Sequence, residues 1–221
     1  MEIKRDKYLR DLAARRGNGL VKVVTGARRA GKSYLLFKLF RDVLRADGVA
    51  DDHVVELAFD LRSSRPLRDP DAFLEWAAPR LAGGGERFVL LDEVQLLGDF
   101  EEVLNELSRM PGVDVYVTGS NSKFLSTDIV TEFRGRGDEV HVLPLTFSEF
   151  MQSRSDGEAR AWADYVEFGG LPLVATMATP EQKSTYLKNL FEETYLADII
   201  ERHGLRKTQE LEDLQIGRAH V

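Results

Sequence analysis

The chain has 221 residues, an apolar content of 43% and a formal net charge of −7, which fits one large domain, or one domain and part of another. It contains no cysteine, so disulfides and thiolate metal sites are excluded and a reducing compartment fits. No apolar run approaches the roughly 20 residues that a membrane span needs, and the charged N-terminus does not resemble a secretory signal. We therefore expect a cytoplasmic protein without a membrane partner.

The predicted elements alternate between helix and strand along the first 144 residues. A helix carrying Tyr8 and Leu12 is followed by strands at residues 20–25, 54–59, 88–91, 113–117 and 139–143. Further helices begin near Leu35, at Asp69-Pro70 and near Phe100. This alternation predicts an α/β fold with a mostly parallel five-stranded sheet and helices on both faces.

The sequence pattern after Pro144 predicts helices. Thr146 and Glu149 have the spacing of a capping box, and Thr179-Pro180 begins another helix. We therefore expect three parts: a nucleotide-binding domain at residues 1–144, a small helical lid subdomain with the start of a missing C-terminal region at 145–215, and a non-native tail at 216–221.

A glycine-bounded loop lies between the first strand and the next helix. Its sequence, Gly26-Ala27-Arg28-Arg29-Ala30-Gly31-Lys32-Ser33, fits the pattern G-x-x-x-x-G-K-[ST]. The glycines let successive N–H groups converge on one anion, at the positive end of the following helix. Lys32 would reach the β and γ phosphates, and the Ser33 hydroxyl would ligate Mg²⁺. The loop predicts binding of ATP with Mg²⁺.

Two carboxylates follow the third apolar strand. In a parallel sheet Asp92 would lie at the carboxyl edge, beside the phosphate loop, and hold Mg²⁺. Glu93 would orient and deprotonate the attacking water. One further strand separates this pair from the loop along the chain, which favours the P-loop ATPases that have a catalytic glutamate. No N-K-x-D guanine signature occurs in the sequence.

Two later segments carry candidate catalytic side chains. The fourth strand ends in Thr118-Gly119-Ser120-Asn121, and Ser120 or Asn121 could sense the γ-phosphate or the water; the alternative is a helix-capping turn. Arg134 and Arg136, flanked by glycines, could aim a guanidinium at developing phosphate charge, in the same chain or a neighbouring one. The alternative for this pair is a solvated loop.

Taken together, these motifs resemble a family of prokaryotic AAA-type P-loop ATPases that carry a C-terminal domain of unknown function of the DUF4143 type. The resemblance runs from about Lys4 to Leu214 and also includes the stretches 91–95, 144–150 and 169–172. It implies an AAA-like sheet, ATP binding and a helical subdomain. It also extends to signalling ATPases that use ATP as a switch, and it leaves the biological substrate open.

The end of the chain departs from that family, whose members continue further. Residues 216–221, Ile-Gly-Arg-Ala-His-Val, can be back-translated into a common sequencing adapter. We therefore expect that the natural chain is longer and that this tail is read-through; a genuine short C-terminus is the alternative. The actual codons would decide between the two.

Three functions remain open at this point. The first is an ATPase in which Glu93 is the base. The second is a nucleotide-gated interaction protein with slow turnover, acting on a protein partner or as a homo-oligomer. The third is a nucleic-acid-dependent motor, because residues 1–41 hold 12 Lys and Arg against 3 Asp and Glu, and the remainder 18 against 34. An acidic body disfavours that third function, since it repels a nucleic-acid backbone.

Overall fold

Five strands form the central sheet of the computed structural model, which describes residues 2–119 and 137–192. They are β1 (Val21–Thr25), β2 (Val54–Ala58), β3 (Arg87–Asp92), β4 (Val113–Thr118) and β5 (Gly137–His141). All neighbouring strands are parallel, in the order β2-β3-β4-β1-β5. The predicted parallel α/β sheet is confirmed; β5 lies two residues earlier than the pattern indicates.

Helices cover both faces of this sheet, as predicted. On one face lie α1 (Asp6–Ala14) and α2 (residues 32–46), and they pack with the buried side chains of Val24, Phe88 and Tyr116. On the other face lie α3 (Pro70–Leu81) and α4 (Phe100–Leu107), which pack against β1, β3 and β4. Because β3 and β4 are covered on both sides, they read as nearly continuous apolar runs.

The helix that follows the phosphate loop is not uniform. It begins as Lys32–Tyr34, continues as a π-helix over Leu35–Phe40, and ends as an α-helix over Arg41–Ala46. Its apolar face is buried as expected, but the wider central turns differ from the regular α-helix that the repeat predicts. Such π-helical turns are uncommon and recur near functional sites.

The described residues after Leu145 form four helices: α5 (Phe147–Met151), α6 (Glu158–Phe168), α7 (Pro172–Thr176) and α8 (Pro180–Leu190). Capping boxes start α5 at Thr146 and α8 at Thr179. The sequence predicts the first as a capping box and the second as a helix start. A small apolar cluster that includes Phe150, Ala161 and Ala175 joins α5, α6 and α7. We refer to residues 145–192 as the helical region.

Many of the basic side chains near the N-terminus pair with carboxylates, some of them buried and others at the surface. Six of the twelve Lys and Arg side chains in residues 1–41 form ion pairs with carboxylates of the described residues; these six are Arg5, Arg15, Arg16, Lys22, Lys38 and Arg41. Part of the excess positive charge in the sequence is therefore offset by neighbouring acidic side chains. Within the described ranges, no helix is both long and apolar enough to cross a bilayer.

Candidate functional site

The loop after β1 begins with a glycine that no other residue could replace without movement. Gly26 has φ 130°, in a region that L-residues with a side chain rarely adopt. A Cβ added to Gly26 would lie 2.0 Å from the carbonyl oxygen of Val142. The backbone of the loop is therefore packed directly against the segment that leaves β5.

The second half of the loop turns sharply into α2. Arg29 has φ 64° and Gly31 has φ 92°, and Gly31 is the N-cap of the helix. The Ala30 N–H donates to the Ala27 carbonyl at 3.2 Å. Left-handed residues beside right-handed ones turn neighbouring N–H groups toward one point. Together with the start of α2, this makes the concave side of the loop a suitable binding place for an anion.

Lys32 lies inside this loop. Its ammonium group donates to the carbonyl oxygens of Gly26 at 2.9 Å and Ala27 at 3.0 Å. Burial lowers the pKa of Lys32, and the nearby carboxylates of Glu93 and Asp92 act in the opposite direction. The two carbonyls account for two of its three N–H donors. A buried cation held this way is ready to meet a more strongly charged acceptor such as a phosphate.

Ser33 and Asp92 meet across the carboxyl edge of the sheet. The Ser33 hydroxyl donates to Asp92 Oδ1 at 2.9 Å, and the Thr118 hydroxyl donates to the same oxygen. Burial raises the pKa of Asp92, although these two hydrogen bonds partly oppose the shift. Hydroxyl and carboxylate oxygens are ligands that suit Mg²⁺, which keeps several waters and takes few protein ligands. The pair therefore fits a magnesium ion.

Glu93 follows directly, in an unusual backbone conformation. Its φ is 52°, in the left-handed region, and its N–H donates to the Thr118 hydroxyl at 3.3 Å. The Gln95 side-chain amide donates to the Glu93 carboxylate. Non-glycine residues in this region carry strain that the surrounding structure must hold. Thr118 and Gln95 hold Glu93 in this conformation, and its carboxylate lies close enough to Lys32 to oppose the lowering of the pKa of Lys32.

Asp92→Asn is expected to raise the free energy of unfolding of the ligand-free protein at pH 7 by about 0.5–2 kcal/mol, the range of single stabilising substitutions. Because burial raises the pKa of Asp92, the native state binds this proton more tightly than the unfolded chain does. The resulting penalty is absent below pH 3.8, the ordinary value, and grows as the pH rises through the folded pKa. The Asn oxygen can still accept from Ser33 and Thr118.

Urea unfolding of both proteins without Mg²⁺, from about pH 3 to pH 8, checks this expectation. The difference in unfolding free energy should be near zero at the acidic end and widen above it. A difference that stays constant with pH would show that the charge of Asp92 is not its cause. Asp52→Asn, at an exposed position, is the matched control and should change stability little at any pH.

The structure brings together part of the predicted set of site residues. Gly26 to Ser33 form the loop, and Asp92 and Glu93 lie beside it. Ser120, Asn121, Arg134 and Arg136 lie outside the described residues. Thr118 and Gln95, which contact the two acidic residues, are not among the predicted site residues. Thr118 carries a sequence signal, since it is the polar end of an apolar strand.

A parallel sheet with a glycine-bounded loop, a buried lysine and an acidic pair at its carboxyl edge defines a P-loop nucleotide-binding domain. A family model, AAA_14, described as an AAA domain, matches residues 18–151. The chain therefore belongs to this family of AAA domains, whose function is nucleotide binding of the ATPase type.

Relatives and similar structures were found as well. An uncharacterised protein of Haemophilus influenzae is 31% identical over 96% of this chain and 54% of its own length. An uncharacterised protein of Methanocaldococcus jannaschii is 26% identical over 88% of this chain and 45% of its own. The chain thus spans about half the length of the curated relatives it matches. The Aeropyrum pernix ORC1 protein in complex with DNA is similar at TM-score 0.48 and 17% identity, over 94% of this chain and 62% of that one.

Proposed function

We propose that this domain binds Mg·ATP and hydrolyses it by in-line attack of water on the γ-phosphate. The observation that carries the proposal is the 2.9 Å hydrogen bond from Ser33 to Asp92. It joins the end of the phosphate loop to the acidic end of β3, so that one small region holds the anion cradle and both acidic side chains. That combination is typical of a site for polyphosphate chemistry rather than of a site that only binds an anion, because a simple anion site needs no carboxylate.

Each side chain then has a specific task. The N–H groups of Gly26 to Ser33 bind the phosphate oxygens, and Lys32 neutralises charge that develops on them. Ser33 and Asp92 would hold Mg²⁺, which supplies Lewis-acid polarisation of the phosphate when it is bound. Glu93 accepts the proton of the attacking water. In the same proposal, Arg134 or Arg136 stabilises the transition state, and Ser120 or Asn121 contacts the γ-phosphate.

A nucleotide-gated switch is the second candidate, and one contact favours it. A Cβ added to Gly31 would lie 3.4 Å from Cγ of Pro172, which is the first residue of α7. A nucleotide in the loop would therefore act on the helical region directly, with or without rapid turnover. A protein partner or a second copy of the chain would be bound through that change.

A nucleic-acid motor is less well supported, because at least six of the twelve Lys and Arg side chains in residues 1–41 already pair with carboxylates of the described residues. DNA and RNA should leave the rate of phosphate release unchanged at low salt, where such binding is strongest. Stimulation under those conditions would restore that candidate.

Lys32→Met tests the nucleotide site itself. We expect the dissociation constant of Mg·ATP to rise about 10- to 100-fold, because the variant loses the charged hydrogen bonds from Lys32 to the phosphates. The fold should remain intact, because Met keeps the apolar stem and burial disfavours the charge of Lys32. Calorimetric titration with Mg·ATP measures the affinity. Lys38→Met, on the exposed side of the same helix, is the control and should bind Mg·ATP like the wild type. A wild type that does not bind Mg·ATP would refute the proposal.

A further inference from the structure

Arg5 is a buried cation that makes three hydrogen bonds to three separate parts of the chain. It is 4% exposed. Its Nε donates to the Glu149 carboxylate at 3.1 Å, its Nη1 to the Ala30 carbonyl at 3.0 Å, and its Nη2 to the Leu143 carbonyl at 2.7 Å. Ala30 belongs to the phosphate loop, Leu143 follows β5, and Glu149 lies in α5. One planar guanidinium therefore connects the loop to the helical region.

The segment around Arg5 is fixed on both sides. The Arg5 guanidinium lies 4.6 Å from the centre of the Tyr8 ring, and the Leu143 N–H donates to the Tyr8 hydroxyl at 3.1 Å. The Lys4 N–H donates to Gln152 Oε1 at 2.8 Å, and the Gln152 amide donates back to the Lys4 carbonyl at 3.2 Å. A buried charge is costly to leave unpaired, and these contacts hold Arg5 where all its partners can be reached.

The bond to Ala30 acts on the part of the loop that turns. Arg29 and Gly31, on either side of Ala30, both have positive φ. Within one planar trans peptide, the C=O of Ala30 and the N–H of Gly31 point in opposite directions. When Arg5 holds that carbonyl, the Gly31 N–H is turned away from Arg5. A rotation of this peptide would remove one donor from the anion cradle.

The other end of the link lies at the beginning of a helix. Glu149 accepts from Arg5 through Oε1 and from the Thr146 N–H through Oε2 at 2.8 Å. The second bond is half of the capping box that starts α5. A movement of Arg5 would therefore disturb the first turn of α5 together with the loop.

We propose that Arg5 is a positioning residue that couples the phosphate loop to the helical region. It holds the Ala30–Gly31 peptide in the anion-binding orientation, and through Glu149 it makes the first turn of α5 sensitive to the state of the loop. The coupling deepens the proposed function, because it gives bound nucleotide a route to the helical region. Arg5 itself touches no reacting atom.

Hydrogen exchange without nucleotide is the first part of the test. Arg5→Lys keeps the charge but loses the planar guanidinium that makes the three hydrogen bonds. It should speed amide exchange about tenfold or more in both the loop (residues 27–33) and α5 (147–151). Exchange in α3 and α4 should remain as in the wild type. Arg15→Met removes a cation that pairs with Asp138 at 2.8 Å, at the end of α1 away from the loop, and should affect neither segment. Faster exchange everywhere, or in neither segment, would overturn the proposal.

A double-mutant cycle on Mg·ATP affinity is the second part. Glu149 makes none of the loop's hydrogen bonds described above, so Glu149→Gln should weaken binding about 3- to 10-fold only through Arg5. In an Arg5→Met background the same change should therefore have no effect on the dissociation constant. Effects that simply add would overturn the coupling. A wild type that binds no Mg·ATP would instead refute the proposed function, and the exchange experiment would still decide the role of Arg5.

Discussion

Glu93→Gln should lower the rate of phosphate release from Mg·ATP about 10²- to 10⁴-fold, the usual contribution of a positioned general base. The substitution keeps the size of the side chain and removes its ability to accept a proton. The affinity for Mg·ATP should stay close to that of the wild type, because Glu93 lies beside Lys32 without being part of the loop. Steady-state phosphate release and calorimetric titration measure the two quantities separately.

The outcome of that experiment also separates the two leading functions. Glu102→Gln, an exposed carboxylate on α4, is the matched control and should hydrolyse ATP like the wild type. Unchanged release in Glu93→Gln would mean that another group activates the water. If the wild type binds Mg·ATP tightly and releases almost no phosphate, the switch is favoured over the ATPase.

Lys22→Met should reduce the free energy of unfolding by about 3–5 kcal/mol, the effect of breaking a buried ion pair. Lys22 is fully buried in β1, and its ammonium group pairs with Asp114 at the start of β4. Asp114 also accepts from the Tyr116 hydroxyl at 2.8 Å and from the Gly17 N–H at 3.1 Å. Removing the lysine would leave a buried carboxylate without its cation. Natural domains have only about 5–15 kcal/mol of stability, so this loss is large.

A double variant shows whether charge is the cause. Lys22→Met combined with Asp114→Asn leaves no uncompensated charge and should recover part of the lost stability in urea unfolding. Lys38→Met removes an exposed pair with Asp42 on α2 and should change the unfolding free energy by less than about 0.5 kcal/mol. A loss below about 1 kcal/mol in Lys22→Met would mean that the buried pair is weak.

The sequence predicts the sheet and the loop well because both depend on local patterns. Short apolar runs bounded by turns give the strands, and the spacing of Gly26, Gly31 and Lys32 gives the cradle. Chain order does not give neighbours in space, however. β2 follows the loop along the chain but lies at the edge of the sheet, and β4 separates β1 from β3. For this reason the contact between Thr118 and Asp92 could not be predicted.

Arg5 was equally invisible to sequence analysis. Its partners Ala30, Leu143 and Glu149 lie 25 to 144 residues away, and no local periodicity relates them. Helix starts, by contrast, depend on residues three apart, and the capping box at Thr146 and the helix start at Thr179 are both confirmed. The roles of Ser120, Asn121, Arg134 and Arg136 stay predictions, as do the boundaries of the three expected parts.

The Lys22–Asp114 pair, near the amino ends of the strands, also affects the position of Thr118 at the carboxyl edge of the sheet. β1 and β4 are aligned so that Lys22 lies beside Tyr116 and Val24 beside Thr118. Sliding β4 by one position would shift Thr118 by about 3.3 Å and turn its hydroxyl to the opposite face, away from Asp92. The same shift in register would separate Asp114 from Lys22 and break their ion pair. The buried pair therefore helps to fix the register that places Thr118 beside Asp92. Substitutions at Lys22 or Asp114 are expected to disturb the acidic end of β3 from the opposite end of the sheet.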